Sequence, residues 1–356
     1  MHRTVMGRVG RRARAHLGQN THCAPTLGRR SFTTTGPVAS QAARASEAVE
    51  QLTHKFQGKT SVRRQIFDAN QLQKLSLTLG RRELDGVDVS DTPPLAGTPV
   101  PPGWHLVYFT PNGVESELGP DGTDRTFNSP EPFTRRMWAG GRMTWPAAGD
   151  EATALRVGDE VEERTRFVGA TAKANKLGQE MVLVEIEKEF WGPRGLGVVD
   201  QRSWIFRTEA QASSGSIKRL TDADTLGPSI ARDEMVDGLP QRHMRWSPVG
   251  LFRFSALTFN GHKIHYNQTW TGEVEGHPGE VVHGPLNLIG MLDYWRDHHG
   301  KETTPRVISY RALSPIYAGE SYVIKTGDIQ EIGGGTSYEV LVEKKGVISM
   351  RGEILT

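Results

Sequence analysis

The sequence predicts an α+β fold built from two tandem copies of one module, each an antiparallel sheet wrapped around a central helix. Three observations carry this prediction. First, the chain repeats itself. Arg142-Met143-Thr144-Trp145-Pro146 followed by Leu155-Arg156-Val157-Gly158-Asp159 resembles Arg311 to Glu320, and Val182-Leu183-Val184-Glu185 matches Val340-Leu341-Val342-Glu343 in the same order. Second, residues 286–298 are apolar nearly all round (Leu286, Leu288, Ile289, Met291, Leu292, Tyr294, Trp295), as a helix enclosed by a sheet must be. Third, strand-like alternation fills 160–167, 181–186 and 197–206 in the first copy, and 306–313, 320–329 and 337–354 in the second.

The remaining elements follow in order. Residues 66–80 read as a short amphipathic helix: Asp68 or Asn70 caps it, Leu72, Leu75 and Leu79 share a face, and Gly80 ends it. A Pro/Gly/Asp-rich loop spans 84–103. Residues 208–240 are polar and poor in large apolar side chains, and read as a linker. The predicted domains are therefore 60–207, a linker at 208–240, and 241–356. Gly333-Gly334-Gly335 reads as a hairpin turn rather than a phosphate loop, because no helix start follows it.

The first 46 residues hold eight arginines and no Asp or Glu; the first acid is Glu47. With Arg30-Ser31-Phe32-Thr33-Thr34-Thr35 resembling a processing site, residues 1–46 read as a mitochondrial transit peptide and linker, and the expected location is the matrix. Without residues 1–31 the chain carries 36 Lys+Arg against 41 Asp+Glu, a formal charge of −5, which argues against nucleic acid as a partner. No apolar run is long enough to span a membrane. The single cysteine, Cys23, falls inside the expected presequence, so the processed protein has no thiol for disulfides, thiolate catalysis or iron–sulfur ligation. The histidines lack an HExxH-type spacing, and no metal site is expected.

The chemistry-bearing segment is Ser255-Ala256-Leu257-Thr258-Phe259-Asn260-Gly261-His262-Lys263-Ile264-His265-Tyr266. It places an amide and two imidazoles in six residues of an otherwise apolar stretch, where polar side chains are costly to bury. Val281-Val282-His283-Gly284-Pro285-Leu286 then reads as the start of a buried helix, with Pro285 suited to its first turn. An imidazole beside a helix N-terminus can remove a weakly acidic proton while backbone N–H groups stabilise the developing oxyanion. The competing readings are structural: a satisfied core histidine for His265, a loop hydrogen-bonder for His262, a helix-start residue for His283, and a solvated arginine for each of Arg135, Arg136 and Arg142. His298-His299 reads as a helix C-terminus, where His is favourable.

On these two segments the chain resembles the MaoC-like hydratase/dehydratase superfamily. It is most similar to the mitochondrial 3-hydroxyacyl-thioester dehydratase type 2 branch and its mesaconyl-C4-CoA hydratase relatives. Pro101-Pro102-Gly103-Trp104-His105-Leu106-Val107-Tyr108-Phe109 and Arg135-Arg136-Met137-Trp138-Ala139-Gly140-Gly141-Arg142 extend the likeness to roughly 65–356. The resemblance implies a double hot-dog fold with the active site in the C-terminal half and a degenerate N-terminal half shaping the acyl pocket. It implies a cofactor-free hydro-lyase that interconverts (R)-3-hydroxyacyl and trans-2-enoyl thioesters, on acyl carrier protein or CoA, in mitochondrial type II fatty-acid synthesis. A mesaconyl- or itaconyl-type CoA hydratase and a silent acyl-carrier-binding module are the alternatives.

The superfamily's Asp-x-Asn-Pro-x-His pattern, laid over this sequence, puts its His on His265 and its Asp on Asn260. His262 and Lys263 take its Asn and Pro positions. The expected roles are His265 as base and proton shuttle, Asn260 as orienter of water or hydroxyl, and the Gly284 N–H as oxyanion donor. His262, His283, Arg136 and Arg142 are expected to meet the substrate. An Asn cannot take a proton, and this departure is what keeps the silent module in play. A double hot-dog chain satisfies internally the pairing of single hot-dog subunits, so a monomeric pseudo-dimer or a homodimer is expected.

Overall fold

The computed structural model describes residues 44–146, 154–208, 227–300 and 303–356. The presequence expected at 1–46 therefore lies outside the described residues up to Ala43. The N-terminal half contains α1 (Ala45–Phe56), β1 (Thr60–Ile66), α2 (Ala69–Thr78), a small β2/β3 hairpin (Glu83–Leu84, Val87–Asp88) and a 3-10 turn at Trp104–Val107. It is completed by β4 (Arg135–Thr144), β5 (Glu160–Ala174), β6 (Glu180–Gly192) and β7 (Gly195–Arg207). The C-terminal half contains β8 (Ile230–Val236), β9 (Leu239–Arg245), α3 (Pro248–Leu257), α4 (Gly284–His298), β10 (Val307–Ala312), β11 (Tyr322–Ile332), β12 (Gly335–Lys344) and β13 (Val347–Leu355).

Eleven strands form one antiparallel sheet in the order β1-β5-β6-β7-β4-β10-β13-β12-β11-β9-β8. Read outward from the β4/β10 junction, β4-β7-β6-β5-β1 mirrors β10-β13-β12-β11-β9. The duplicated module is thus visible in the strand order itself, and the two sheets of the double hot-dog run on as one. Close approach at the seam depends on Gly141. A Cβ there would lie 2.1 Å from the Gln201 carbonyl oxygen and 2.6 Å from Tyr310 Oη.

The same symmetry equates α2 with α3, and the 3-10 turn at 104–107 with α4. The C-terminal half wraps a helix whose residues Leu286 to Trp295 are all buried, while the N-terminal half has a single turn in that place. Trp104 in that turn still reaches the partner helix, its Nε1–H donating to Asp293 at 2.9 Å. One apolar core runs through both halves. A second forms where Ala45, Ala48 and Leu52 of α1 cover Phe167, Val184 and Phe206.

Two sequence expectations need correction. Residues 230–240 are not linker: they begin the β8/β9 hairpin, and β9 pairs with β11, so the second half starts before 241. The β8 edge strand is exposed along almost its whole length and so carries no apolar alternation. The run 337–354 is two strands joined at Lys345-Gly346, where both residues have positive φ. The helix expected over 66–80 is α2, with Asp68 accepting from the Gln71 N–H at 2.8 Å.

Candidate active site

The site is assembled by the exit from α3. Phe259 has φ +47°. Its N–H bonds the Ala256 carbonyl, and the Asn260 N–H bonds that of Ser255. This closes the helix with the paired bonds usually made around a left-handed glycine. A phenylalanine in that conformation costs about 1–2 kcal/mol, and the turn throws residues 260–265 across the mouth of a cavity. An N-terminal-half loop clamps them there: the Lys263 N–H bonds the Asp121 carbonyl at 2.8 Å, and Lys263 Nζ bonds that of Pro120 at 2.7 Å.

The cavity holds about 680 Å³ and draws its walls from both halves. His265, Asn260, Gly284, His262, His283 and Arg136 all line it. Arg142 does not. A β-bulge between Trp138 and Gly140 inverts the alternation of β4. Met143 therefore points into the core, and Arg142 is exposed beside Ser309. A strand's side chains change face with every one-residue shift, so the bulge turns Arg142, which was expected to meet the substrate, away from the cavity.

His265 Nδ1 lies 2.7 Å from the Val281 carbonyl oxygen. A carbonyl only accepts, so Nδ1 carries the proton and Nε2 is the basic atom. Burial pulls the imidazole's pKa down to about 4, although the Val281 bond opposes the shift, so the ring is neutral at physiological pH. His283 stacks on it with ring centres 3.6 Å apart, and is itself held by Ser255 Oγ at 2.9 Å. Burial, and then the other imidazoles, hold His283 well below the ordinary range. His262 meets His265 edge-on at 5.4 Å. Asp121 Oδ2 lies 3.6 Å from His262 Nε2, and burial keeps His262 neutral as well. Asn260 Oδ1 accepts from the His262 N–H at 3.1 Å, which turns the Nδ2 donor away from that bond.

Gly284 is the first residue of α4. Pro285 has no N–H, and the Leu286 and Asn287 N–H groups turn back to the His283 carbonyl. In this first turn Gly284 thus keeps an N–H with no protein acceptor among the described residues, at the positive end of the helix dipole. Glycine also keeps the approach open: a Cβ would meet the Trp138 side chain at 3.0 Å, and Trp138 would have to shift by a few tenths of an ångström.

Arg136 sits 4.1 Å over the Trp204 ring, and its guanidinium bonds the Asp124 carbonyl and the Asn128 amide oxygen. Burial lowers its pKa to about 10. Neighbouring Arg135 pairs with Glu275 and contacts His277 Nε2 at 3.0 Å. Sequence reasoning missed Asp121, Trp138 and the Val281 carbonyl. Trp138 and Val281 lie within the segments that carry the resemblance but were given no role there, and Asp121 reaches His262 from a loop of the N-terminal half that no local pattern announces.

The model of the hydroxyacyl-thioester dehydratase type 2 family matches residues 103–318. The chain belongs to that family. It is similar to the mesaconyl-C(4)-CoA hydratase of Chloroflexus aurantiacus, with 29% identity over 226 residues, covering 63% of this chain and 73% of that protein. It is also similar to the mitochondrial hydroxyacyl-thioester dehydratase type 2 of Schizosaccharomyces pombe, with 24% identity over 234 residues, 63% of this chain and 76% of that one. Among solved structures, a MaoC-like dehydratase superposes with a TM-score of 0.60 at 12% identity, over 86% of this chain and 99% of that one. A second, from Phytophthora capsici, gives 0.55 at 14% identity, over 83% and 94%. These two likenesses fix the fold, and the family membership makes the chain a hydro-lyase of the hydratase/dehydratase type.

Proposed function

We propose that the protein adds water to trans-2-enoyl thioesters and removes it from (R)-3-hydroxyacyl thioesters, with His265 as the base. The observation that carries this is a neutral imidazole with a free Nε2 lining the same cavity as the Gly284 N–H, which has no protein acceptor among the described residues. In the dehydrating direction His265 Nε2 takes the C2 proton. The thioester oxygen gains negative charge against the Gly284 N–H and the α4 dipole. The imidazolium then gives its proton to the C3 hydroxyl, which leaves as water. Asn260 Nδ2 donates to that departing oxygen and orients it, and in hydration it holds the attacking water. The stacked His283 and the Ser255 hydroxyl behind it fix the plane of the His265 ring.

The thioester handle is CoA or the phosphopantetheine of acyl carrier protein. Arg135 and Arg136, on the cavity wall, are the cations suited to its anionic part. The Arg-rich, acid-free first 46 residues and the likeness to a mitochondrial relative support a mitochondrial matrix location, and with it the type II fatty-acid synthesis reading. The test is absorbance at the enoyl-thioester band with purified protein and crotonyl-CoA. Turnover that disappears in His265→Ala supports the reading. A wild type inert on every CoA and carrier-protein thioester would leave only the silent binding module. N-terminal sequencing of the protein from mitochondria should begin near residue 32, and a start at Met1 would remove the presequence reading.

A further inference from the structure

The inner face of the N-terminal sheet divides into a charged part and an apolar part. In the charged part Lys188 of β6 pairs with Glu163 at 2.7 Å, and Arg202 of β7 with Asp200 at 2.6 Å. Further along the same face of these two strands, Ile186, Val184 and Val182 of β6 and Trp204 and Phe206 of β7 are buried. The repeat matches Val182 and Val184 with Val340 and Val342, which sit in the core around α4. The N-terminal half has no such helix. Its valines are covered instead by α1, whose Ala45, Ala48 and Leu52 join them in the second core. In chain order α1 stands where the C-terminal half has β8. It is therefore an addition to the duplicated module, filling part of the space left by the missing helix. The remainder is cavity. Tyr108 lines it from the first core, Phe127, Ile186 and Trp204 line it from the second, and Trp138 packs on both.

Trp138 ties this arrangement to the chemistry. It lies against Gly284 and pairs with Trp204 across β4 and β7, and Trp204 pairs with Val184 across β7 and β6. A thioester carbonyl on the Gly284 N–H starts its acyl chain at that indole. Toward Lys188 and Arg202 the chain would strip solvent from ion pairs, which is costly. Past Trp204 and Ile186 each buried methylene strengthens binding roughly fourfold. Arg136, over the Trp204 ring, has the Asp124 carbonyl and Asn128 as partners and asks for no charge on the chain. The apolar arm ends at Phe127. This residue has φ +61°, a conformation that a bulky side chain keeps only when its surroundings fix it. Phe56 of α1 packs on it with ring centres 4.8 Å apart, and Phe56 is backed by Phe167 at 6.1 Å. Among the described residues the one hydrogen bond from α1 to the sheet is Ala45 N–H to Glu180 at 3.3 Å, so side-chain packing holds the helix in place. We infer that α1, through Phe56 behind Phe127, is the end-stop for the acyl chain. Two strand spacings of about 4.8 Å admit roughly eight carbons, because C–C bonds of about 1.5 Å advance an extended chain by roughly 1.3 Å each. Short and medium chains fit, and long ones do not. This rests on the hydro-lyase reading for its thioester anchor and goes beyond it in chain length.

Binding is measured apart from turnover. Butyryl, octanoyl, dodecanoyl and tetradecanoyl thioesters, which have no double bond to hydrate, are titrated on CoA and on acyl carrier protein, with tryptophan fluorescence as the signal. Affinity is expected to climb from butyryl to octanoyl and to stop climbing or fall by dodecanoyl. Phe56→Ala opens room behind Phe127 and should raise the dodecanoyl-to-octanoyl affinity ratio by on the order of 10-fold, about two methylenes' worth. Phe56→Leu should raise it less. Phe127→Leu, with the same expected direction, is the second variant should Phe56→Ala fail to fold. Glu50→Ala, on the exposed face of the same helix, should leave the profile unmoved. A break no earlier than tetradecanoyl, a ratio unmoved by both Phe56→Ala and Phe127→Leu, or a shift as large with Glu50→Ala overturns the end-stop. The matching enoyl thioesters report turnover. Crotonyl turnover with no chain-length break overturns the end-stop and leaves the hydro-lyase reading intact. A break that moves with Phe56 while no enoyl thioester turns over keeps the end-stop and ends the hydro-lyase reading. No binding of any chain on either carrier overturns both.

Discussion

The two halves share an order of elements and differ in what fills the sheet. In the C-terminal half the space holds α4, a buried fifteen-residue helix whose first N–H is free, with three neutral imidazoles gathered at its start. In the N-terminal half the same place holds one 3-10 turn, and the room left over is cavity, walled by Arg63, Glu163, Lys188 and Arg202. On the proposed mechanism the contrast divides labour between the two copies. A helix N-terminus and a buried base are expensive to arrange, and one copy suffices. The other copy, freed from holding a helix, is available to shape and charge the pocket.

The sharpest way to break this comparison is to remove the base. His265→Ala should lower kcat by on the order of 100- to 10,000-fold, with KM changing far less, because the imidazole acts mainly in the transition state. Stopped-flow loss of the enoyl band measures it. Near-full activity would move the chemistry to His262 or His283.

Core disruption in the N-terminal half should act on stability instead. Leu52 of α1 is 2% exposed and sits in the core with Phe167, Val184 and Phe206. Leu52→Ala should cost about 2–5 kcal/mol, read as a shifted urea midpoint, with kcat at 25 °C preserved in the folded fraction. A loss of kcat without a loss of stability would mean that α1 reaches the chemistry directly.

Asn260 tests a finer division within the C-terminal half. Asn260→Ala should cost less than His265→Ala, on the order of tenfold, since only orientation of an oxygen is lost. Asn260→Asp brings a carboxylate beside the imidazoles and should raise the His265 pKa. With the wild-type value near 4, free-enzyme activity that depends on neutral His265 holds as pH falls from 7 and is lost as it passes through about 4. In the Asp variant that loss should begin at higher pH. A kcat/KM profile with an unmoved acid limb would place residue 260 out of electrostatic reach of His265.

Much of this was legible before the structure. The all-round apolar 286–298 segment announced a sheathed helix, Asp68 marked a helix start, and Asn260, His262, His265, His283 and Gly284 all line one cavity. The illegible parts share a cause. α1 begins next to the Arg-rich segment, and its buried stripe of Ala45, Ala48 and Leu52 is short, with one large apolar side chain. The β8 edge has no buried face to imprint a period. Asp121 and the Val281 carbonyl act across long sequence separations, through loop geometry that composition does not encode.

The smallest expected effect tests the bulge in β4. Before it, Arg136 and Trp138 face the cavity; after it, Met143 is buried and Arg142 faces out. The extra residue is Ala139, which the register skips between Trp138 and Gly140. Among the described residues Arg142 makes one long contact, 3.4 Å to Ser309 Oγ, at an exposed position. Such a contact is worth little against solvent and side-chain entropy, so Arg142→Ala should change stability by no more than about 0.5 kcal/mol and leave kcat/KM unchanged. Arg136→Ala, two residues before the bulge on the cavity side, should raise KM for CoA thioesters. Steady-state kinetics of the two variants side by side decide the matter. A rise in KM for Arg142→Ala as large as for Arg136→Ala would mean that both arginines face the substrate and that the strand runs without its bulge.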